Sequence, residues 1–447
     1  MLYDPTGHIS KSSSIIQSAW AARADELAAW AWERLVNRTD VWGAYTAPAE
    51  RGRKYVNGDG MEKEVPASCT APPIKRRGKD NLTLQTLKRH FRSARPEDVI
   101  GLHTTSPDNT SKWGALEIDR HGEAGPGPEA TLAAALGYCE RLRALGFHPL
   151  LTDSNGRGGY HVRVLFAEPV PTAKVFFLFR YVVADFRRRG LATEPETFPK
   201  QSAVTERNPC GNWLRVPGRH HTREHWARVW DGARWREGGE AIDQLLAHPA
   251  DLPDLIPENI EHHWRAACYM ATLPNLPEGQ GRNKAAYPSL AFVVRDLQLP
   301  DHEALAMHLE PWDAFNMPPL GRAELNQILE NAHRYGRRPY GSALAPRNGA
   351  GPVWGANGDG AGPVAGFHLT DYGNARRLVD RHGQDLRHCH PWKKWLVWDR
   401  QRWQLDDTAA VTRRVKETLD FLFGWASARI EEIRRQLQEE GGNEPGE

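Results

Sequence analysis

Residues 113–121 constrain the chain more than any other stretch, because they set two carboxylates two positions apart inside an apolar run. If Ala115, Leu116 and Ile118 belong to a strand, Glu117 and Asp119 leave one face while Ile118 enters a core, since side chains alternate along a strand. Carboxylates at that spacing repel each other unless a cation sits between them, and a divalent metal with phosphate oxygens is the usual occupant. Further on, the apolar runs 149–152 and 160–166 are separated by Ser154-Asn-Gly-Arg-Gly-Gly, which predicts a β-hairpin with a glycine-rich turn. The amides of such a turn, with Ser154 and Arg157, suit a triphosphate. His161 opens the second strand directly after the turn, well placed to touch a bound phosphate.

A chain of 447 residues holds two to three domains by ordinary domain size. Its 58 Lys+Arg against 56 Asp+Glu leave a formal charge of +2, so any nucleic-acid footprint must be local. Candidate clusters are Ile74-Lys-Arg-Arg-Gly-Lys79, Arg187-Arg-Arg189 and the Arg/His-rich 215–228, each of which also reads as a solvated face. The five cysteines form no CxxC pair, which argues against a disulfide framework or a four-cysteine zinc site and for a reducing, cytoplasmic setting. No basic start precedes an apolar segment and no run of 18 apolar residues occurs, so neither a signal peptide nor a membrane span is expected.

The hydrophobic pattern predicts a helix over 15–36, a strand over 41–45, a loop over 46–80, a helix over 82–91 and strands over 98–104 and 116–119. A helix over 128–145 stopped by Gly146, an aromatic-faced helix over 171–189, and strands over 213–216 and 227–230 complete an α+β domain ending near 235 or 265. Residues 265–336 lack strand signals and read as a small helical bundle. Eight Gly and four Pro within 337–366 describe a flexible linker. In the remainder, Trp392, Trp395, Trp398 and Trp403 flank a hairpin-like segment, and 408–437 is helical. The expected domains are 1–264, 265–336, the linker 337–366 and a small α/β or α unit over 367–447.

Two-metal phosphoryl transfer needs three carboxylates around a pair of divalent ions about 3.5–4 Å apart. Glu117 and Asp119 supply two, and the segment 193–201 offers Glu194 and Glu196 as the third.

The order Glu117-Ile-Asp119, Ser154-Asn-Gly-Arg-Gly-Gly-Tyr-His161, Glu196-Thr-Phe-Pro-Lys-Gln201 and Gly211-Asn-Trp-Leu-Arg-Val-Pro-Gly-Arg-His220 resembles the archaeo-eukaryotic primase superfamily. More narrowly it is similar to the primase-polymerases of phages, plasmids and related mobile elements. The resemblance implies an RRM-like sheet with helices, in which Glu117 and Asp119 bind the catalytic metals and His161 the nucleotide's phosphates, helped by Ser154 and Arg157. It carries the third metal ligand to Glu196, with Glu194 in reserve, and places Lys200, Arg215 and His220 near the phosphate or template path. The family most often shows Asp-x-Asp or Asp-x-Glu where this chain has Glu-x-Asp; Glu has the reach to bind the same ion.

The segments Gly281-Arg-Asn-Lys284, Asn316 and Pro318-Pro319-Leu320 resemble the small helical domain that follows such cores and assists initiation, with Arg282, Lys284 and Arg322 as its basic face. Residues 369–399 resemble the segment preceding the ATPase motor of primase-helicases, yet no Gly-x-x-x-x-Gly-Lys-Ser/Thr loop occurs. The motor is expected elsewhere, through a cut chain, a split gene or a helicase beyond residue 447. The expected activity is primer synthesis on single-stranded DNA from nucleoside triphosphates with two Mg²⁺ or Mn²⁺ ions, a helicase in the same or a separate polypeptide being a partner. A metal-dependent nuclease and a non-catalytic replication initiator that recruits a helicase are the alternatives.

Overall fold

The computed structural model describes residues 13–56, 62–71, 81–92, 95–119, 126–206, 208–273, 275, 277–278, 281–336, 339–344, 377–379, 381–383, 385–389, 392, 394–399 and 402–419. The chain forms two compact units, Met1–Leu344 and Ala345–Glu447.

The first unit opens with helices α1 (Ser13–Ala22) and α2 (Ala24–Arg34), then strands β1 (Trp42–Tyr45), β2 (Lys54–Val56), β3 (Glu62–Glu64) and β4 (Ser68–Ala71). Helix α3 (Leu84–Arg92) leads into β5 (Ile100–His103) and the long β6 (Thr110–Ile118). Next come α4 (Pro128–Ala144), the hairpin β7 (Leu150–Asp153) and β8 (Tyr160–Pro171), α5 (Thr172–Val183) and β9 (Glu196–Phe198). Strands β10 (Trp213–Arg215), β11 (Arg228–Trp230) and β12 (Trp235–Arg236) close the mixed part, and α6 (Gly239–Ala247) follows. The rest of the unit is helical: α7 (Ile260–Met270), α8 (Arg282–Ala291), α9 (Asp301–Ala304), α10 (Glu310–Asp313) and α11 (Arg322–Tyr335), with π-helical turns at Phe292–Asp296 and Leu305–Leu309. This is an α+β fold.

Two expectations fail locally. The helix expected over 15–36 breaks at Arg23, where Trp20, Ala24 and Leu27 must all reach one core. The loop expected over 46–80 contains β2, β3 and β4: Lys54, Val56, Glu62 and Glu64 pair as a hairpin, and Ser68–Ala71 add an edge strand beside β1. Charge-rich strands with little apolar surface carry no alternation to read. The cluster at 74–79 lies outside the described residues.

Strand order is β12-β11-β7-β8-β6-β9 in the large sheet and β10-β5-β1-β4 in the small one. Side-chain alternation divides the large sheet cleanly. Leu116, Ile118, Val162 and Val164 face the core built with Tyr138 and Cys139 of α4 and Phe179 and Val182 of α5. On the opposite face Trp113, Ala115, Leu165 and Phe198 join the core around α1, α2 and α3. Helix α4 begins with Pro128 at its first position and stops at Gly146, whose φ of +91° ends the helix with no Cβ penalty.

The helical part packs its own core around Leu290, Val293, Leu309, Trp312 and Ile328. The Tyr181 hydroxyl of α5 donates to the Met307 carbonyl at 2.9 Å. Of the expected linker, 339–344 are described, and Gly341 and Ala343 amides bond to the Arg295 and Asp296 carbonyls. In the second unit, β13 (Leu386–Cys389), β14 (Lys394–Trp398) and β15 (Trp403–Leu405) form an antiparallel sheet, followed by helical residues 410–419. The expected helix beyond 419 lies outside the described residues.

Candidate active site

Register decides which side chains meet. Glu117 on β6 lies directly opposite His161 on β8 and, on its other side, opposite Glu196 on β9; Thr152 on β7 lies opposite His161. Residues directly opposite one another share a sheet face, so these four stand in one row, and Asp119 follows Glu117 on the same face. Further back along β6, that face is buried by Trp113 and Ala115. Where the overlying core ends, the face opens into a cleft.

The cleft has a volume of about 410 Å³ and is lined by Glu117, Asp119, Ser154, Glu196, Lys200, Arg215 and His220 from the expected set. Tyr45, Ser68, Asn155, Phe198, Trp213, Leu214 and His221 complete it. Arg157 is exposed in the hairpin turn and does not line the cleft; Glu194 pairs instead with Arg180 of α5 at 2.9 Å.

Each carboxylate already has a partner. His161 Nε2 lies 3.1 Å from Glu117 Oε1, Asn155 Nδ2 lies 3.4 Å from Asp119 Oδ1, and Lys200 Nζ lies 2.5 Å from Glu196 Oε2. Among the described residues no set of three or more His, Cys, Asp or Glu side chains is drawn together as a formed metal cage. Glu117 and Asp119, at the end of β6, and Glu196 on β9 are oxygen donors of the kind a hard divalent cation takes, and the Lys200 ammonium meets Glu196.

His161 is buried beneath Glu117 and does not itself line the cleft. Burial, then the cations Arg163 and Arg215, push its pKa well below the ordinary histidine value, so it is neutral. Its tautomer is fixed from behind. Arg163, fully buried, donates from Nη2 to His161 Nδ1 at 3.1 Å, and a guanidinium can only donate. The imidazole hydrogen must therefore sit on Nε2, aimed at Glu117. Arg163 also donates to the Arg215 carbonyl at 2.7 Å and to Thr152 Oγ1 at 3.3 Å.

The hairpin turn is held as a rigid object. Gly156 and Gly158 take φ of +67° and +87°, and Asn155 Oδ1 accepts from the amides of Arg157 and Gly159 at 2.8 and 2.9 Å. A Cβ on Gly159 would collide with Asn155 and Asp119. Asp153 accepts from the amides of Asn155 and Gly156 and pairs with Arg228. Burial works against the Asp153 carboxylate, but His225 and Arg228 outweigh it and hold its pKa below the usual carboxylate range.

The Arg/His-rich segment 215–228 turns out to be the brace of this turn. Arg215 donates to the Ser154 carbonyl, Arg223 to that of Asn155 at 3.0 Å, and Arg228 to Asp153. Arg188 and Arg189 of the other basic run are likewise spent internally, on the Met270 and Leu273 carbonyls and on Asp185. In the helical part, Arg282 is buried against the Pro318 carbonyl and Arg322 pairs with Glu310; the Lys284 side chain lies outside the described residues.

Opposite the carboxylates, His221 stacks on Tyr45 with centroids 4.0 Å apart and on His220 at 4.5 Å, and Tyr45 meets Trp213 edge-on at 5.5 Å. Burial first, then Arg215, lowers the pKa of His220 to about 2 and of His221 to about 4. Sequence reading missed Tyr45, Asn155, Arg163 and His221. Arg163 was detectable as a charge two positions after His161 in an otherwise apolar strand; Tyr45 reaches the site only through the pairing of a second sheet.

Acidic side chains thus stand in a row on a sheet, beside a glycine turn. Residues 36–242 match the family described as the TOTE conflict system, Archaeo-Eukaryotic Primase domain, and residues 375–441 match the family described as D5 N terminal like. Residues 36–242 thus form an archaeo-eukaryotic primase domain and residues 375–441 a D5-like region, which supports a replication-related function. Primase domains of this kind act on DNA and nucleoside triphosphates and generally use divalent metal ions. No curated protein matches the chain. No helix among the described residues is long and apolar enough to cross a membrane.

Proposed function

We propose that the chain is a template-dependent primase-polymerase that builds primers on single-stranded DNA during replication of a phage, plasmid or other mobile element. The observation that carries this reading is the row Glu117, His161 and Glu196 on three adjacent strands, with the carboxylates of Glu117, Asp119 and Glu196 sharing one cleft and His161 buried behind Glu117. Glu117, Asp119 and Glu196 would hold two Mg²⁺ or Mn²⁺ ions, which lower the pKa of the attacking 3′ hydroxyl and neutralise the leaving pyrophosphate. The carboxylates act as ligands and not as general bases.

The protein's own groups position the triphosphate. The Nε2–H of His161, which now faces Glu117, would be the donor for a phosphate oxygen where Glu117 serves as a metal ligand. Lys200, which now meets Glu196, would hold a second phosphate oxygen where Glu196 serves as a metal ligand. Ser154 lines the cleft on a turn held still by Arg215 and Asn155, but the turn amides expected to cradle the triphosphate are spent within the turn: those of Ser154, Asn155, Gly156, Arg157 and Gly159 already donate to Gly159, Asp153 and Asn155. His220 stays neutral near Arg215, and the Tyr45–His221 stack walls the far side.

The test is labelled-nucleotide incorporation on an unprimed single strand with Mg²⁺ or Mn²⁺. New strands that require triphosphate are the expected result. Shortening of the template would show a nuclease, and binding with neither would show an initiator. Asp119→Ala is expected to lower synthesis by at least a thousandfold while template binding stays within about twofold, since one lost ligand cripples the metals but leaves the basic surroundings intact. Wild-type rates in that variant would remove Asp119 from the site.

A further inference from the structure

The second unit carries a surface that the cleft does not explain. In the sheet β13-β14-β15, Cys389 pairs with Lys394, Arg387 with Leu396, and Trp398 with Trp403. Alternation puts Arg387, Lys394, Trp398, Trp403 and Leu405 on one face. Arg387, Lys394, Trp403 and Leu405 are exposed, Trp403 by 38% and Leu405 by 51%. The Arg387 guanidinium lies over the Trp403 ring, 4.9 Å from its centroid, and the Trp398 and Trp403 rings are 5.3 Å apart.

We propose that this face is a second binding surface for single-stranded nucleic acid, separate from the cleft. Among the described residues Arg387 donates only to the Gly383 and Leu386 carbonyls, so its charge is not neutralised, and an exposed Trp403 ring with the half-buried Trp398 beside such exposed cations has a specific chemical complement: a strand that offers flat bases and a line of phosphates. An acidic peptide would meet the cations but leave the rings wet, and an apolar partner would bury Arg387 and Lys394 without counter-charge. Among the neighbouring acids, Asp399 pairs with the Arg402 guanidinium at 3.8 Å, and no ion pair joins an acid to Arg387 or Lys394 among the described residues. Asp399 accepts from the Arg402 amide and from Gln404, and Asp406 accepts from the amides of Ala410 and Val411 at the start of the following helix. Stacking is indifferent to base identity, so the surface binds without sequence preference.

The test uses the full chain with a fluorescein-labelled oligo-dT and anisotropy across a salt series. Arg387→Glu with Lys394→Glu is expected to weaken binding at least tenfold. It should also flatten the log–log salt dependence by about 1.4, two contacts at roughly 0.7 each. Trp403→Ala is expected to weaken binding roughly tenfold with the salt slope unchanged, and Trp403→Tyr to restore most of it, which a merely misfolded sheet would not allow. Hydrogen exchange across 386–405 should slow when oligo-dT is added. Unchanged affinity and slope in both variants, or protection confined to residues below 344, overturns the proposal; so does a concentration-dependent dimer lost in Trp403→Ala, which would make the face a protein interface. Because binding is read without triphosphate, its failure is distinguishable from failure of primer synthesis.

Discussion

His161 takes its character from the residue behind it. Arg163 occupies Nδ1 and leaves Nε2 as a donor, which converts an ambiguous ring into a one-way hydrogen-bond donor facing Glu117. Arg163→Met keeps comparable bulk and removes that constraint. A neutral His161 can then place its hydrogen on either nitrogen, and the form with Nε2 as acceptor cannot hold a phosphate oxygen. The expected result is a nucleotide KM raised about tenfold, the worth of one charge-assisted contact of about 1.4 kcal/mol, with kcat less affected. Nitrogen shifts of His161 by NMR should show the hydrogen leaving Nε2. An unchanged KM and an unchanged tautomer together would make Arg163 a packing residue.

At the scale of elements, the second wall of the cleft depends on absent side chains. Gly43 on β1 and Gly101 on β5 lie under the Trp213 ring of β10, and a Cβ at either position would enter that ring. Trp213 lines the cleft and carries Tyr45 edge-on, so the glycines set how closely the small sheet's aromatic wall approaches the carboxylates. Gly101→Ala is expected to cost about 1–3 kcal/mol in urea unfolding, the usual penalty of overpacking, and to reduce synthesis as the wall shifts. Shortening the ring in the double variant Gly101→Ala, Trp213→Leu should return much of the stability relative to Trp213→Leu alone. Strict additivity of the two changes would show that the ring and the glycine do not press on each other.

Over the whole molecule, burial of histidines couples stability to pH. His90 and His221 are lowered to about 4 and His220 to about 2, with His161 also well below normal, burial being the largest cause at each. The unfolded chain binds protons at these rings near pH 6.5, whereas the folded chain does not. Their contribution is therefore intact above about pH 6.5 and is lost progressively as the pH falls toward 4. Thermal melts should show a midpoint several degrees lower at pH 5 than at pH 7; a midpoint that holds or rises over that interval would mean that these rings charge inside the fold.

The sequence by itself determined the strands and helices that carry a strong period. The alternation at 113–119, the glycine turn before His161 and the helix ended by Gly146 were all readable, because each depends on neighbours within a few residues. The same is true of the motif order that resembles the primase superfamily. It did not reveal the hairpin at 54–64, whose strands bury too little to alternate, or that the Arg/His run 215–228 would be spent bracing a turn. Only the tertiary structure decided that Glu196 stands across from Glu117 while Glu194 turns to Arg180, and that Tyr45 and His221 face them. Those placements follow from strand register and from the packing of one sheet against another, which join residues far apart in the chain through contacts that no local pattern encodes.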